Sequence, residues 1–367
     1  MAPVLLLAGF TLLSQRPGVV EKRLAAIRAQ GLPTNLEELD RWLGSNTVAG
    51  RSNAALVQII GENLRVDEKR SLPGRAGAAT EAEIAWARAQ LTEENEPLFA
   101  ELHRQLQETQ WRWADFSGGA MNRSIGYLSS VKGLATKLQV EAVAAALLRD
   151  TNRAAASLLA SLRVGRTLEP EPVLIDYLVR VACDAIAAQN AEWVFSRMQL
   201  AEPDLVALQT AFRVAEGTNA LSRALIGERA HGATIFQMRP EVADQLAAAA
   251  GAGGSPGGFD QTFRRILYPL YRAFILNTDF TYYLDQTERL IALARLEVPE
   301  ARAALDEFGA SLKTRRPGDW RRILSRMSLT ALSKSSSKEW RRIATMRCAR
   351  VGCAVERFRA VHGTPPA

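Results

Sequence analysis

Apolar residues recur along most of the chain at intervals of three or four positions, which is the spacing of one face of an α-helix. Val20, Leu24 and Ile27 form such a face near the start of the chain. Farther along, Thr80 and Glu83 stand in the pattern of a capping box, which opens a helix. The alternation of apolar and polar residues that is typical of strands is not evident. We therefore predict an all-α fold.

The predicted helices follow one another closely and are separated by short polar turns. Long apolar segments cover 128–148, 154–164 and 173–198, and a further helix is predicted from Glu202 to about Ala230. Helix pairs with short turns and small residues at their crossing points are typical of α-solenoids and of helical bundles. We predict an irregular helical array, either α-solenoid-like or a bundle of antiparallel helix pairs.

Composition divides the chain into four segments. The segment 247–258 consists of Ala and Gly with one Ser and one Pro. Such low complexity predicts a flexible surface loop. The predicted organisation is an apolar N-terminal segment, a helical array, this loop and a C-terminal helical region with basic helices, at 1–14, 15–246, 247–258 and 259–367.

The N-terminal segment bears on location. Residues 1–13 carry no charge, but a membrane-spanning helix needs about 20 apolar residues. The segment fits a secretory signal, the second half of a membrane anchor that starts upstream of Met1, or a buried N-terminal strand or helix. The first two alternatives place the protein at the membrane or in the cell envelope, which is the location that we expect.

The overall composition excludes several classes of protein. The chain has 367 residues, of which 47% are hydrophobic and 23% are charged, so it is neither disordered nor collagen-like nor a polytopic membrane protein. The formal net charge is +7. Three cysteines in a chain of this length do not indicate a disulfide framework.

The common catalytic and cofactor-binding signatures are missing. The three histidines, His103, His231 and His362, do not stand at helical ligand spacing from one another or from a cysteine. The sequence contains no phosphate-binding loop, no dinucleotide fingerprint and no nucleophile elbow. We therefore predict no metal and no cofactor, and the sequence leaves open whether the protein is an enzyme, while favouring one that is not.

A smaller set of polar residues remains as a candidate site. Asp115 follows the segment Trp111-Arg112-Trp113, and Glu228 and Arg229 stand together in a predicted helix. These residues are the first that we would mutate, although they define no reaction.

Two alternatives stay open, one for the acidic residues and one for the aromatic residues. For the acidic residues, the alternative is a hydrolase-like enzyme whose carboxylate site lies around Asp115, Glu228 or Asp279. A group of aromatic residues near Asp279 could line a ligand groove, but helical spacing favours a core with phenol groups at its rim. The aromatic residues are Tyr268, Tyr271, Phe274, Phe280, Tyr282 and Tyr283.

The C-terminal region is the strongest electrostatic feature. Residues 313–359 contain fourteen basic and three acidic residues, a net charge of +11. The sequence Asp-Trp-Arg-Arg-Ile at 319–323 is echoed by Glu-Trp-Arg-Arg-Ile at 339–343. Arginine beside tryptophan suits anionic lipid headgroups. The candidate contacts with such a surface are Trp320, Arg321, Arg322, Trp340, Arg341 and Arg342.

Two other interpretations of the basic region remain. A nucleic acid is the second type of anionic partner, but no recognised nucleic-acid-binding fold accompanies the charge, so we do not expect one. A solvated basic face without a partner is the third interpretation.

Five segments carry a family resemblance. They resemble a family of uncharacterised bacterial helical proteins with an N-terminal membrane segment, and together they extend over most of the chain. The resemblance implies a helical, membrane-attached protein and assigns no catalytic residue. The segments are Gly31–Leu39, Asn53–Ala55, Asp115–Ser117, Leu225–Ala230 and Ala354–Pro366.

The last segment also resembles the helix-to-loop passage of pseudopilin-like secretion proteins, in which a helix meets an H-G-x-x-P turn. Here that turn is His362-Gly363 with Pro366. The sequence thus predicts a membrane-associated helical scaffold or interaction protein of the bacterial envelope, with a protein partner. The alternatives are the hydrolase-like enzyme and an accessory component of a pilus or secretion system.

Overall fold

The computed structural model describes most of the chain after the N-terminal segment. The described residues are 18–44, 47–68, 73–74, 77–114, 125–217, 219–237, 275–314 and 319–364. They form α-helices joined by turns, and no strand occurs within these ranges, which confirms the all-α prediction. The predicted segments 1–14 and 247–258 lie outside the described residues. Within the same ranges, no helix has the length and apolar character that crossing a membrane requires.

The helices are numbered in chain order. A 3₁₀ turn at Asp319–Arg321 precedes the helix that ends at Ser333. The α-helices are α1 Val19–Ala29, α2 Leu36–Trp42, α3 Thr47–Asn63, α4 Glu81–Gln90, α5 Asn95–Gln105, α6 Gly126–Leu147, α7 Thr151–Arg166, α8 Leu174–Arg197, α9 Glu202–Ala215, α10 Asn219–Gln237, α11 Leu276–Leu293, α12 Val298–Lys313, α13 Ile323–Ser333 and α14 Ser335–His362.

The described residues fall into two compact units, each built from separate stretches of the chain. Residues on both sides of the predicted loop at 247–258 belong to the first unit, and the C-terminal region is shared between the two. The described parts of the first unit are 18–43, 221–237, 275–314 and 319–336. Those of the second unit are 44, 47–68, 73–74, 77–114, 125–217, 219–220 and 337–364.

In the second unit, α6, α7 and α8 pack against one another and form the centre of the core. The last turns of α6, from Leu138 to Leu147, are buried on every side. These turns have no solvent-facing side, and the alanines among them allow neighbouring helices to approach from several directions. Helix α4 packs on α6, α9 packs on α7, and α3 contacts both α5 and α6.

In the first unit, α11 is the central helix and contacts α1, α12 and α13. The ring of Phe280 on α11 stacks on Phe236 of α10 with centroids 4.8 Å apart, and Tyr283 lies 5.2 Å from the same Phe236 ring. Stacked aromatic pairs of this kind add to the stabilisation that burial alone supplies.

Two helix starts follow the local sequence signals. Asn35 accepts a hydrogen bond from the backbone N–H of Glu38 at 2.8 Å and so caps α2. The Thr80 hydroxyl accepts from the N–H of Glu83, and the Glu83 carboxylate accepts from the N–H of Thr80. Both arrangements satisfy backbone donors that the first helical turn leaves unpaired.

The predicted continuous helix from Glu202 to about Ala230 is wrong. Helix α9 ends at Ala215, and α10 begins at Asn219. The carbonyl oxygens of Ala215 and Gly217 accept hydrogen bonds from the guanidinium of Arg342. A side chain remote in sequence therefore satisfies the carbonyls that another helical turn would have used.

Candidate functional site

The polar site predicted from the sequence is only partly described. Asp115 lies outside the described residues. Arg229 on α10 is fully buried and forms an ion pair with Glu288 of α11, while its Nε and Nη2 atoms have no hydrogen-bond partner. Burial lowers the pKa of Arg229. The neighbouring Glu228 carbonyl accepts a 3.1 Å hydrogen bond from the Tyr283 hydroxyl.

Asp279, the third carboxylate of the hydrolase hypothesis, caps the N-terminal end of α13. Its buried carboxylate accepts hydrogen bonds from the backbone N–H groups of Leu324 at 3.0 Å and Ser325 at 3.1 Å, and also from the Ser325 hydroxyl. These donors lie in the first turn of α13. Negative charge at a helix N-terminus is stabilising, so Asp279 serves the fold of the first unit.

The described aromatic residues pack as the core interpretation expects. Phe280 and Tyr283 are buried, and Tyr282 is half-buried under the guanidinium of Arg322, 4.3 Å from its ring centroid. Tyr282 and Arg322 border a cavity of about 580 Å³ beside α1 and α11. Tyr268, Tyr271 and Phe274 lie outside the described residues.

Arg342 was expected at an anionic surface, and the structure corrects this. Its side chain is buried, and Arg342 as a whole is 3% exposed. The guanidinium donates to Glu339 at 2.7 and 3.0 Å and lies 3.5 Å from Asp184. Burial disfavours the charged guanidinium, but these carboxylates raise its pKa above the ordinary value.

The other candidate surface residues differ in their surroundings. Arg341 is exposed, Trp340 and Arg321 are half-buried, and Arg322 covers Tyr282. The side chain of Trp320 lies outside the described residues. The two similar segments therefore place their arginines differently.

Three arginines of α14 form ion pairs with two glutamates at the ends of α9. Arg347 and Arg350 pair with Glu216 at 2.5 and 2.8 Å, and Arg357 pairs with Glu202 at 2.7 Å. The arginines nearer the start of α14 pair with Glu216 at the C-terminal end of α9, and Arg357, farther along α14, pairs with Glu202 at the N-terminal end of α9. The two helices therefore run antiparallel. Glu202 and Glu216 offset two of the eleven net positive charges of residues 313–359.

A buried acidic cluster in the second unit was not predicted. Glu171, which is 3% exposed, accepts hydrogen bonds through Oε1 from the backbone N–H groups of Trp113 at 2.6 Å and Ala114 at 3.2 Å. Its Oε2 atom has no hydrogen-bond partner. The fully buried Asp176 accepts a 2.5 Å hydrogen bond from the Tyr127 hydroxyl.

The surroundings of Glu171 favour its protonated form. Burial raises the pKa of Glu171 to about 7; the positive charge of Arg112 opposes the rise, and the negative charge of Asp176 adds to it. Trp113 stacks between Trp111 and Tyr127, with centroids 6.4 and 5.9 Å apart. A carboxyl group that exchanges its proton near neutral pH is a recognised feature of functional sites.

This pKa predicts a pH dependence of stability. Between the ordinary value of 4.5 and about 7, folded Glu171 keeps a proton that the unfolded chain has released. Its contribution to the free energy of unfolding therefore falls as pH rises through this window, by about 3 kcal/mol in total. Glu171→Gln keeps the accepting oxygen and should remove this component. Urea unfolding of both proteins between about pH 5 and about pH 8 measures it.

The difference between the two unfolding free energies is the informative quantity, because other groups titrate in both proteins. As pH rises, the free energy of unfolding of the Glu171→Gln protein should increase relative to that of the wild type. A constant difference over the window would contradict the assignment of the raised pKa to Glu171.

A second unpredicted cluster joins α5, α6 and α7. The buried Glu141 lies 2.7 Å from the His103 ring nitrogen Nε2 and accepts a 2.9 Å hydrogen bond from Arg153, which also pairs with Glu96. The cluster lines a cavity of about 480 Å³ that Asn152 also borders. Among the described side chains, no group of three or more potential ligands could hold a metal ion.

The third feature is a groove between α8 and α14. It has a volume of about 560 Å³ and is lined mainly by small and apolar residues, with Glu192 and Glu356 at its edge. Its lining includes Phe195 of α8 and Cys348, Val351, Gly352 and Val355 of α14. The spacing of apolar residues along α14 indicates the face of this helix that lines the groove. Only the tertiary structure shows that α8 lies beside that face.

Comparisons with known proteins add no further identification. Searches of protein-family models, curated sequences and solved structures found no match to this chain.

Proposed function

We propose that the protein is a helical interaction scaffold of the bacterial envelope, attached to the membrane through its apolar N-terminal segment. The observation that carries the interaction role is the face of α14 that borders the groove. The exposed Val351 and the partly buried Val355 lie on this face beside Phe195 of α8. Apolar grooves between helices commonly receive a further helix.

The opposite side of α14 supports the same role. Arg342, Arg347 and Arg357 fix that side to α8 and α9 through buried and surface ion pairs. A helix held in this way presents its outer residues in a defined arrangement, which lowers the entropy cost of binding.

Membrane attachment rests on the sequence. Residues 1–13 are apolar and without charge, and the resemblance described above implies an N-terminal membrane segment. The basic residues contribute less to this proposal than their number suggests, because several of them are paired with Glu202 and Glu216.

Cell fractionation tests this proposal. The tagged full-length chain should remain in the membrane pellet after carbonate and high-salt washes, whereas a chain lacking Met1 to Leu13 should be soluble. Release of the full-length chain by salt alone would assign attachment to basic residues such as Arg341. A fully soluble full-length chain would contradict attachment to the membrane.

A hydrolase-like enzyme is the second candidate function, and the Glu171 cluster favours it. Glu171 combines a pKa of about 7 with an unpartnered buried oxygen, and the Asp176 carboxylate lies near enough to raise that pKa. A carboxyl group with its pKa raised to near neutrality beside a second carboxyl group is an arrangement that general acid and base catalysis uses.

An activity screen tests the second candidate. Purified full-length protein would be assayed with ester, phosphoester, amide and glycoside substrates alongside Glu171→Gln. An activity that disappears in the mutant and changes with pH near 7 would support the enzyme. An activity that the mutant retains would exclude Glu171 as its acid or base.

A further inference from the structure

His103 belongs to a polar cluster that three helices of the second unit bring together. The imidazole comes from α5, the carboxylate of Glu141 from α6 and the guanidinium of Arg153 from α7. Glu141 is 1% exposed, and both of its oxygens are engaged. Oε1 accepts a 2.9 Å hydrogen bond from Nε of Arg153, and Oε2 lies 2.7 Å from Nε2 of His103. The buried carboxylate therefore fixes the orientation of the imidazole ring.

The partners of Glu141 decide which ring nitrogen of His103 carries the hydrogen. A carboxylate that pairs with a guanidinium is an acceptor, so the hydrogen in the contact between Glu141 and His103 lies on Nε2. In the neutral imidazole, Nδ1 then carries a lone pair. No group among the described residues forms a hydrogen bond with this Nδ1 atom. His103 thus keeps a basic nitrogen that the packing of the three helices does not use.

The imidazole lines the cavity of about 480 Å³ described above, and the side chain of His103 is 20% exposed. Phe99 and Ala156 supply apolar parts of the cavity wall. Asn152 borders the same cavity from the first turn of α7, where backbone N–H groups lack intrahelical acceptors. A helix N-terminus and a side-chain amide stabilise negative charge that develops on a substrate oxygen. The cavity therefore combines a base with groups that suit an anionic transition state.

We propose that His103 is the general base of a site that hydrolyses esters in this cavity, and that Glu141 is its positioning residue. Nδ1 takes a proton from a water molecule while the water oxygen bonds to the carbonyl carbon of the ester. The bond between that carbon and the alcohol oxygen then breaks, and Nδ1 gives the proton to the leaving alcohol. The products are a carboxylic acid and an alcohol. A base that a third group holds in place is the arrangement that such catalysis uses.

This site is distinct from the features that carry the proposed functions. The described lining of the cavity includes neither Glu171 nor a residue of the groove between α8 and α14. The inference therefore goes beyond the interaction role and does not depend on it.

The charges around the cavity indicate the class of ester. Glu96, Glu141 and Asp150 border it with three carboxylates, and Arg153 supplies one guanidinium. Because the carboxylates outnumber the guanidinium in the described lining, the cavity attracts positive charge. The substrate class is therefore a carboxylic ester that carries an ammonium group, with its carbon chain against Phe99.

Hydrolysis of p-nitrophenyl esters by the purified full-length protein tests the proposal. The p-nitrophenyl esters of trimethylammoniohexanoic, hexanoic and adipic acid are similar in length and differ in charge. We expect kcat/KM to be about tenfold higher for the cationic ester than for the anionic one. His103→Gln should lower kcat/KM for the cationic ester about 100-fold or more, because general base catalysis contributes about 100- to 10,000-fold.

Two further variants separate catalysis from a structural role of His103. The amide of His103→Gln still donates to Glu141, so this protein should keep the thermal stability of the wild type. In His103→Ala, added imidazole should restore part of the lost rate, because it supplies the missing base in solution. The matched control is His362→Gln, which should leave the rate unchanged, because His362 is exposed on α14 and lies outside the cavity.

The pH–rate profile supplies an independent readout. The wild type should show a titration step that His103→Gln lacks, since the other titratable groups of the described lining, Glu96, Glu141, Asp150 and Arg153, remain in that variant. Glu141→Gln places an amide donor beside Nε2, which moves the hydrogen of the imidazole to Nδ1. We expect this variant to lower kcat about tenfold or more with little change in KM.

Several results would overturn the proposal. Equal rates for the wild type and His103→Gln, or hydrolysis of the three esters no faster than in buffer, would exclude the base. A rate that imidazole does not restore in His103→Ala would assign the loss to structure. Hydrolysis that depends on Glu171 and not on His103 would support the second candidate function instead. A preference for the anionic ester would overturn the substrate class.

Discussion

Arg342→Ala should lower the free energy of unfolding of the second unit by about 3–5 kcal/mol. The substitution leaves the carboxylates of Glu339 and Asp184 buried without their cation. It also removes the donors that satisfy the carbonyls of Ala215 and Gly217 at the end of α9. Buried charges and carbonyls without partners are among the costliest defects in a folded protein.

Arg341→Ala is the matched control for this prediction. The two arginines are adjacent in sequence, but Arg341 is exposed, so its removal should change stability by about 0.5 kcal/mol or less. Urea unfolding followed by circular dichroism measures both variants. Equal effects of the two substitutions would contradict the buried network.

Asp279→Ala should lower the free energy of unfolding of the first unit by about 4 kcal/mol. The carboxylate accepts hydrogen bonds from the N–H groups of Leu324 and Ser325, and a hydrogen bond to a charged group is worth about 1.5–3 kcal/mol. Its loss leaves the start of α13 without acceptors in a buried position.

Asp279→Asn separates this structural role from catalysis. The amide keeps one accepting oxygen, so the loss should be roughly half that of the alanine variant. Hydrogen exchange of the amides of Leu324 and Ser325 locates the effect, because their protection should fall in both variants. Unchanged protection in Asp279→Ala would exclude the capping role.

The two similar segments at 319–323 and 339–343 show where sequence reasoning reaches its limit. Both contain Trp-Arg-Arg-Ile, and both were interpreted as surface elements. Arg322 lies over the ring of Tyr282, whereas Arg342 is buried between Glu339 and Asp184. A short segment does not determine its own burial, because burial depends on which remote helices pack against it.

The acidic cluster around Glu171 makes the same point for the candidate site. Glu171 and Asp176 are close in sequence, but the groups that set their environment, including Arg112 and Tyr127, come from other parts of the chain. In the sequence, Glu-Pro-Glu-Pro at 169–172 separates two apolar segments and gives no sign of a raised pKa. Desolvation by neighbouring elements supplies the largest part of that shift.

The sequence by itself determined the helical class, most of the described helices and the caps at Asn35 and Thr80. Helix periodicity and capping depend on residues three or four positions apart, so local sequence contains the necessary information. Tertiary structure alone decided that Arg342 is buried and that helix α9 ends at Ala215. Each of these depends on contacts between residues more than a hundred positions apart, whose pairing is established only when the helices pack.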